Sequence, residues 1–217
     1  SETGVDALCV HLNPAMEVIQ KQGDRDFRSG LDTLSALNAA LPVPIIVKET
    51  GCGLSSEVGQ QLVKLGIRWA DTSGAGGTSW VGVETLRAKA KSRQMGELFW
   101  DWGIPTAASV SQLSHLPLGV IATGGLHTGL DVAKTIALGA TAGGVARPIL
   151  QAWNQNGRSG AIEAVAQILD ELRFACLLTG SKTPSQLQKK PLVVYDPLTN
   201  WIPKEAPLWD RIVSYKR

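Results

Sequence analysis

The segment IRWADTSGAGGTSW, residues 67–80, joins a short apolar run to a loop that has glycine at three of four consecutive positions. Glycine has no Cβ and adopts positive φ readily, so it is used where a strand turns sharply or where another group approaches the backbone closely. A buried strand that leads directly into such a loop is typical of the strand-to-helix connection in parallel α/β proteins. The segment therefore predicts a ligand-binding loop at the carboxyl end of a strand.

The same arrangement recurs along the chain. Short apolar runs that end at a polar or glycine-rich cluster also occur at residues 6–12, 43–48, 103–109, 119–125 and 141–146. Helical patterns separate these runs, at residues 30–40, 56–66, 129–140 and 161–179. Polar clusters follow nearly every strand, which favours a TIM (β/α)8 barrel over a doubly wound sheet, where ligands gather at one switch point.

The number of strands is smaller than a barrel requires. A TIM barrel has eight strands, whereas this pattern contains about six, and the first begins almost at residue 1. The sequence therefore predicts a single domain over residues 1–217, an incomplete barrel that lacks its N-terminal strands and forms the C-terminal portion of a longer protein. The alternative is that two strands lie unrecognised within residues 80–105 or 190–215.

Composition excludes several classes of function. The chain has 217 residues, of which 44% are hydrophobic and 18% charged, and its formal net charge is +2. Without a cluster of Lys and Arg, a nucleic-acid partner is not expected, and the apolar runs are too short to cross a membrane. The three cysteines, Cys9, Cys52 and Cys176, predict free, mostly buried thiols of a reducing compartment, and hence a cytoplasmic location.

Two glycine pairs predict a phosphate site. They lie in ATGGLHTG, residues 122–129, and GGVARP, residues 143–148, in the last two strand-to-helix units. Gly124 and Gly125 permit close approach of an anion to backbone N–H groups, and Arg147 adds positive charge. A single glycine pair is more often a simple turn, so the prediction depends on the repetition in both late units.

Other candidate residues lie near the ends of two earlier strands. Lys48 ends the apolar run PIIVK, where it is either a lysine extending to solvent or, as we prefer, a cation facing the barrel mouth. His11, Asn13 and Glu17 lie in HLNPAME, where a histidine and a carboxylate could serve acid–base chemistry or bind a hard cation. The alternative interpretation of this second group is purely structural.

Taken together, several segments resemble the type 2 isopentenyl-diphosphate isomerases, the FMN-dependent isomerases of isoprenoid biosynthesis. The segments follow the order found in that family and cover nearly the whole chain. They are HLNPAMEVIQKQGDRDF, PIIVKETGCGLS, DTSGAGGTSW, DWGIPTAAS, ATGGLHTGLDVAKTIALGA, GGVARP and LRFACLLTG.

The resemblance implies a TIM barrel with FMN at its C-terminal mouth. It implies that isopentenyl diphosphate and dimethylallyl diphosphate are interconverted by a 1,3-proton shift that uses reduced FMN. NADPH would reduce the FMN, and Mg²⁺ would bridge the diphosphate. The family also implies a homo-oligomer, a tetramer or larger.

The resemblance also assigns residues. The residues implied to bind FMN are Lys48, Ser73, Thr78, Gly125, Leu126, His127, Ala146 and Arg147. Glu17 is implied to be the magnesium ligand, His11 and Asn13 to line the substrate site, and Lys48 to lie near the reactive part of the flavin. The three glycines after residue 73 would then make room for the planar flavin, since a purely structural turn would not need them.

The chain departs from the family pattern at two positions. Met16 occupies the place of a glutamine that the family is thought to use in proton transfer, and a thioether cannot carry a proton at neutral pH. Gln20, one helical turn further, could replace it only if that stretch is helical. His127 stands where the phosphate loop usually carries arginine, so its effect should fall on flavin affinity.

Two other functions remain alternatives. An FMN-dependent oxidoreductase acting on α-hydroxy acids would share the barrel but would need a catalytic histidine and an arginine pair. His115 lies in a helix-to-strand connection, which is the wrong end of a barrel strand for catalysis. The second alternative is an inactive fragment or scaffold that lacks the substrate-binding residues.

Overall fold

The computed structural model describes residues 4–213, and within this range the strands form one five-stranded parallel sheet. The strands are β1 (Leu8–His11), β2 (Ile45–Lys48), β3 (Trp69–Asp71), β4 (Gly119–Ala122) and β5 (Ala142–Gly143). Each strand pairs with the next in sequence, so the order β1-β2-β3-β4-β5 never reverses. A doubly wound sheet requires such a reversal, whereas consecutive order is that of a barrel wall. The fold is therefore part of an α/β barrel.

Helices connect the strands. Four of them overlap the helical patterns predicted at residues 30–40, 56–66, 129–140 and 161–179, although the last begins earlier than predicted, and the other helices are not among the predictions. They are α1 (Pro14–Ile19), α2 (Gly30–Ala40), α3 (Ser56–Lys64), α4 (Trp80–Arg87), α5 (Ala90–Leu98), α6 (Thr106–Leu113), α7 (Gly129–Leu138), α8 (Arg147–Leu178) and α9 (Pro184–Leu187). Short 3₁₀ turns follow at Leu198–Trp201 and Pro207–Arg211. The N-cap of α3 is Ser55, whose side chain accepts a hydrogen bond from the Val58 amide.

The apolar core lies between the sheet and its helices. Val47, Ala70 and Val120 are neighbours in register on β2, β3 and β4, and all three are fully buried. They belong to one apolar cluster with Leu62 of α3 and Leu113 of α6. Burial of each valine or leucine contributes roughly 1.5–3 kcal/mol. This packing fixes the strand ends relative to one another.

The predicted strand at residues 103–109 is wrong. Only Pro105 pairs, through an isolated bridge to Ala75, and α6 begins at the next residue. Short apolar runs rich in alanine and serine suit either structure, and Pro105 has no N–H to donate to a strand ladder.

The alternative of two hidden strands is not supported within residues 4–213. The interval 80–105 holds α4 and α5, and the interval 190–213 holds a single bridge between Leu192 and Ile212. Residues 214 and 215 lie outside the described part of the chain.

The expectation of mostly buried thiols is corrected at one position. Cys9 is exposed because β1 pairs only with β2 among the described residues, whereas Cys52 and Cys176 are partly buried. All three thiols are free. Within residues 4–213, the helices are either too short or too polar to traverse a lipid bilayer. The cytoplasmic location stays a prediction.

Candidate functional site

The carboxyl ends of β2 to β5 surround a cavity of about 580 Å³. All eight residues that the resemblance assigns to FMN line it: Lys48, Ser73, Thr78, Gly125, Leu126, His127, Ala146 and Arg147. They come from four separate segments that follow four different strands. This convergence is the one that a barrel provides at the carboxyl ends of its strands. The role of each residue in binding stays a prediction.

The glycines of residues 74–77 allow the loop after β3 to pack closely against the loop after β4 and against the start of α6. A Cβ at Gly77 would lie 2.7 Å from the Gly125 amide nitrogen, and one at Gly74 would lie 2.6 Å from the Thr106 nitrogen. Gly76 has φ +141°, which other residues rarely adopt. The expectation that a purely structural turn would not need three glycines is therefore wrong, because close packing requires Gly74 and Gly77 and the positive φ favours glycine at position 76. Gly74 and Gly77 also line the cavity.

Helix α7 begins at the cavity, but its own side chains occupy its N-terminus. Thr128 and Asp131 form a capping box, in which the Thr128 hydroxyl accepts a hydrogen bond from the Asp131 amide. The Asp131 carboxylate accepts from the amides of His127 and Thr128 at 3.1 and 3.0 Å. These amides are therefore engaged within the chain rather than directed at an anion.

Helix α8 begins at the same cavity without a side-chain cap. Its N-cap is Ala146, and Pro148 lies within the first turn, where a missing N–H costs little. Arg147 lines the cavity, and its Nη2 donates a hydrogen bond to the Thr78 hydroxyl at 3.2 Å. Uncapped amides at a helix N-terminus attract anions. The start of α8 and its arginine therefore present N–H donors and a positive charge to the cavity.

A lysine and an aspartate stand side by side at the strand ends. Lys48 is the register partner of Asp71, and both line the cavity. The Lys48 ammonium donates to the Glu49 carbonyl oxygen at 2.5 Å. Asp71 Oδ1 accepts from the Ser73 amide at 3.1 Å and from the Thr123 hydroxyl. Sequence reasoning missed Asp71, although a single acidic residue at the end of an apolar strand is the same signal that identified Lys48.

Glu49 is a second acidic residue that sequence reasoning missed. Its side chain is buried, and burial raises the pKa of its carboxyl group to about 7. Oε2 accepts hydrogen bonds from the amides of Thr50 and Cys52 at 2.8 and 2.9 Å, which act in the opposite direction. Glu49 thereby shapes the loop after β2, which carries the cavity residues Thr50 and Gly51.

His11, Asn13, Met16 and Glu17 form a separate group at the end of β1, outside the lining of the cavity. His11 Nε2 lies 4.0 Å from Glu17 Oε1. Asn13 is buried, and its Oδ1 accepts from the Met16 amide at 2.8 Å, which makes it the N-cap of α1. Asn13 Nδ2 donates to the Thr50 hydroxyl at 2.5 Å. This bond connects the group to the edge of the cavity.

The surroundings of Glu17 bear on the predicted magnesium site. Glu17 Oε2 accepts from the Asp24 amide at 3.2 Å, and Arg25 donates to the Glu17 carbonyl oxygen at 2.9 Å. No group of three or more His, Cys, Asp and Glu side chains suited to a metal occurs in the part of the chain that the structure describes. One carboxylate is nevertheless consistent with Mg²⁺, which is often held by one or two carboxylates together with phosphates and water.

Gln20 and His115 lie away from the cavity. α1 ends at Ile19, and Gln20 is extended rather than helical. Gln20 lines a different cleft, together with Arg25, Glu84 and Arg87, so it does not stand in for the glutamine missing at Met16. His115 lies in the connection from α6 to β4, at the amino end of the sheet, and lines a cavity of about 180 Å³ together with the end of α7 and the 3₁₀ turn Pro207–Arg211. It is therefore not placed to act as the catalytic histidine of an α-hydroxy-acid oxidoreductase.

Comparison with known proteins adds sequence relatives. The family model described as FMN-dependent dehydrogenase matches residues 9–194. An isopentenyl-diphosphate delta-isomerase of Methanothermobacter thermautotrophicus is 44% identical over 198 residues, covering 91% of this chain and 56% of that protein. One of Halobacterium salinarum is 46% identical over 194 residues, covering 88% and 54%. The chain thus spans about half the length of these curated relatives.

Solved structures with a similar fold include two of mandelate oxidase. A mutant with a monooxide FMN adduct has a TM-score of 0.59 at 21% identity, over 87% of this chain and 55% of that chain. The enzyme with 3,3-difluoro-2-hydroxy-3-phenylpropionic acid has a TM-score of 0.53 at 24% identity, over 73% and 42%. At these identities the likeness concerns the fold alone.

Proposed function

The chain belongs to the FMN-dependent dehydrogenase family, and from this premise we propose that it is the FMN-binding part of an isopentenyl-diphosphate delta-isomerase. The proposed reaction is a 1,3-proton shift between isopentenyl and dimethylallyl diphosphate. The observation that carries the proposal is the convergence of eight family-assigned residues on one cavity. The isomerase activity is suggested by the names of relatives that are 42–46% identical.

The cavity has the chemistry that FMN requires. Gly124 and Gly125 contribute only backbone to its wall, and a Cβ at either position would overlap the glycine loop of residues 74–77. At one end, Arg147 and the uncapped start of α8 offer positive charge and N–H donors to a phosphate. The ammonium of Lys48 and the carboxylate of Asp71 lie on other strand ends. These features suit a ligand with an anionic tail and a polar heterocycle.

In the proposed complex, the chain's own residues bind and orient the flavin. Arg147 and the first amides of α8 would hold the phosphate, and Thr78, already bonded to Arg147, would fix that arginine's direction. Lys48 would place a positive charge beside the flavin ring and favour negative charge on it. Reduced FMN, when bound, supplies the acid–base group of the proton shift, and NADPH the reducing equivalents.

The group at the end of β1 would hold the diphosphate. We assign Glu17 as the ligand of Mg²⁺, with the remaining positions filled by diphosphate oxygens and water. His11 faces Glu17 at 4.0 Å, so a protonated His11 would add charge beside the same phosphates. Asn13 holds Thr50 and the start of α1 in place rather than offering a free amide. It is therefore a positioning residue in this proposal.

In this proposal Met16 affects the turnover of the isomerase reaction and not the affinity for FMN. Its thioether neither donates nor accepts a proton at neutral pH. If the family's glutamine carries a proton at this position, Met16→Gln should raise turnover while leaving FMN affinity unchanged. Met16→Leu, which changes the shape little and adds no polar group, is the matched control.

We also propose that the protein assembles with further copies of itself, as a tetramer or larger. The C-terminal half of α8 exposes Phe174, Leu177 and Leu178, each at 59% or more. Exposed apolar groups of this size are typical of surfaces that become covered by protein. Light scattering coupled to size-exclusion chromatography would measure the assembly.

The experiment that tests the function combines a flavin titration with a product assay. The chain is mixed with FMN, reduced with NADPH, and supplied with Mg²⁺ and isopentenyl diphosphate, and dimethylallyl diphosphate is detected by NMR. A full-length relative such as that of Methanothermobacter serves as positive control. Uptake of FMN with oxidation of 2-hydroxy acids instead would support the oxidoreductase alternative. A chain that takes up no FMN would support the inactive-scaffold alternative.

A further inference from the structure

Asp71 is an acidic residue of the cavity lining that the family resemblance does not assign to FMN. It is the last residue of β3, only 9% of its surface is exposed, and it lines the cavity beside Lys48. An ionised carboxylate loses solvation on burial and needs hydrogen-bond donors to compensate. The two carboxylate oxygens of Asp71 differ in the donors that they meet.

One oxygen is satisfied within the chain and the other is open. Oδ1 accepts both hydrogen bonds, from the Ser73 amide and from the Thr123 hydroxyl. Oδ2 accepts none from residues 4–213, and it is not among the fully enclosed polar atoms that lack a partner there. Because it is neither bonded nor fully enclosed, Oδ2 keeps some exposed surface, and its residue lines the cavity. The carboxylate is therefore held in a fixed direction with one free acceptor.

The neighbouring lysine does not use that acceptor. Lys48 is the register partner of Asp71, yet among the described residues the ion pairs within 4.0 Å do not include these two side chains. The Lys48 ammonium donates instead to the Glu49 carbonyl oxygen. Adjacent strand ends thus present one cationic donor and one anionic acceptor side by side to the same cavity.

We propose that Asp71 Oδ2 accepts a hydrogen bond from an N–H or O–H group of the FMN bound in this cavity, which makes Asp71 a flavin-orienting residue. This inference rests on the proposed binding of FMN. The flavin offers such donors in its ring imide N–H and its ribityl hydroxyls. Lys48 complements oxygen and nitrogen acceptors on the same ligand, so the pair selects one orientation of the heterocycle. Thr123 sets the direction of the carboxylate and acts through Asp71.

The test compares FMN affinity and flavin potential in the parent chain and in Asp71→Asn. Loss of a charged hydrogen bond costs about 1.5–3 kcal/mol in general, so we expect FMN to bind about tenfold or more weakly by fluorescence quenching. The flavin midpoint potential should move to a more positive value, because a negative charge near the ring disfavours electron uptake. Asp71→Glu keeps the charge and should weaken binding while leaving the potential close to that of the parent. Asp101→Asn, an exposed residue outside the cavity, is the control.

Two results would overturn the role of Asp71 alone, and a third would overturn the proposed function with it. If folded Asp71→Asn, checked by circular dichroism, keeps the parent's affinity and potential, the inference is overturned while FMN binding and the isomerase proposal stand. If Asp71→Asn does not fold, Asp71→Glu with unchanged affinity overturns it equally. A parent chain that takes up no FMN overturns the proposed function and this inference together, and that result is seen before any variant is made.

Discussion

Helices α7 and α8 begin at the same cavity, yet only one of them presents a free N-terminus. α7 uses Thr128 and Asp131 to bond amides at its start, whereas the N-cap of α8 is Ala146, whose methyl side chain cannot accept a hydrogen bond. Both helices follow glycine-rich strand ends. The difference teaches that a helix N-terminus beside a cavity has free N–H donors to offer only where the chain's own side chains have not already capped it.

The largest expected effect comes from the loop before α7, which matters because it packs against the glycine loop after β3. Gly125→Val should abolish FMN binding, because φ is +77° and a Cβ there would overlap the Gly76 backbone. Gly157 also has positive φ, at +60°, but has open space around it. Gly157→Val, which carries strain without the overlap, should therefore keep FMN binding. Equilibrium dialysis of both variants with FMN measures the difference, and equal losses would contradict the loop-packing explanation.

The next effect should come from the start of α8. Arg147→Ala removes the cation at the uncapped terminus and should weaken FMN binding about tenfold, the size of one charge-assisted hydrogen bond. Arg158→Ala, beyond the kink that Asn156 and Gly157 make in α8 and away from the cavity lining, is the control. Fluorescence titration gives both dissociation constants. An unchanged constant in Arg147→Ala would place the phosphate elsewhere.

The start of α7 should affect stability rather than binding. Thr128→Ala removes the N-cap and should lower the free energy of unfolding by about 1 kcal/mol, with FMN affinity unchanged. Thr33→Ala alters an exposed threonine inside α2 and serves as control. Urea denaturation followed by circular dichroism reports the change. A weaker affinity for FMN in Thr128→Ala would mean that α7 also contributes to the phosphate site.

The smallest expected effect is a dependence of the free energy of unfolding on pH, which arises from Asp131 in the first turn of α7. Burial acts to raise the pKa of Asp131, but hydrogen bonds from His127 and Thr128 outweigh it, so the pKa is lowered from 3.8. The resulting stabilisation is present above pH 3.8 and is lost as pH falls through the lowered value. Solvent screening limits it to about 0.5 kcal/mol. Asp131→Asn should show a flatter decline in unfolding free energy below pH 4, and a curve as steep as the parent's would contradict this assignment.

The sequence predicts the positions of strand ends and helices because these signals are local. A capping serine, a terminal glycine and a short apolar run each act within a few residues, as at Ser55 and Gly66. The capping box of α7 also has a local signal, a threonine followed three residues later by an aspartate. That signal distinguishes α7 from α8 in the sequence alone. The predicted strand at residues 103–109 failed because a short apolar run does not distinguish strand from helix.

The roles of single side chains in the site depend on distant contacts. The open oxygen of Asp71 follows from a bond to Thr123, which is 52 positions away in sequence. The coupling of Asn13 to the cavity runs through Thr50. Strand register brings these residues together, and neither apolar pattern nor motif spacing specifies which oxygen of a carboxylate stays free. The sequence, through the family resemblance, therefore supplies part of the cavity lining and not its hydrogen bonding.

The buried carboxyl of Glu49 links folding to proton uptake in the sense opposite to Asp131. Its pKa rises from 4.5 to about 7 on folding, chiefly through burial. Between these two values the folded chain binds more protons than the unfolded chain, so the free energy of unfolding decreases as pH rises and levels off above about 7. Near neutrality this position, adjacent in sequence to Lys48, is close to half protonated. The net charge beside that lysine therefore varies with small changes of pH around 7.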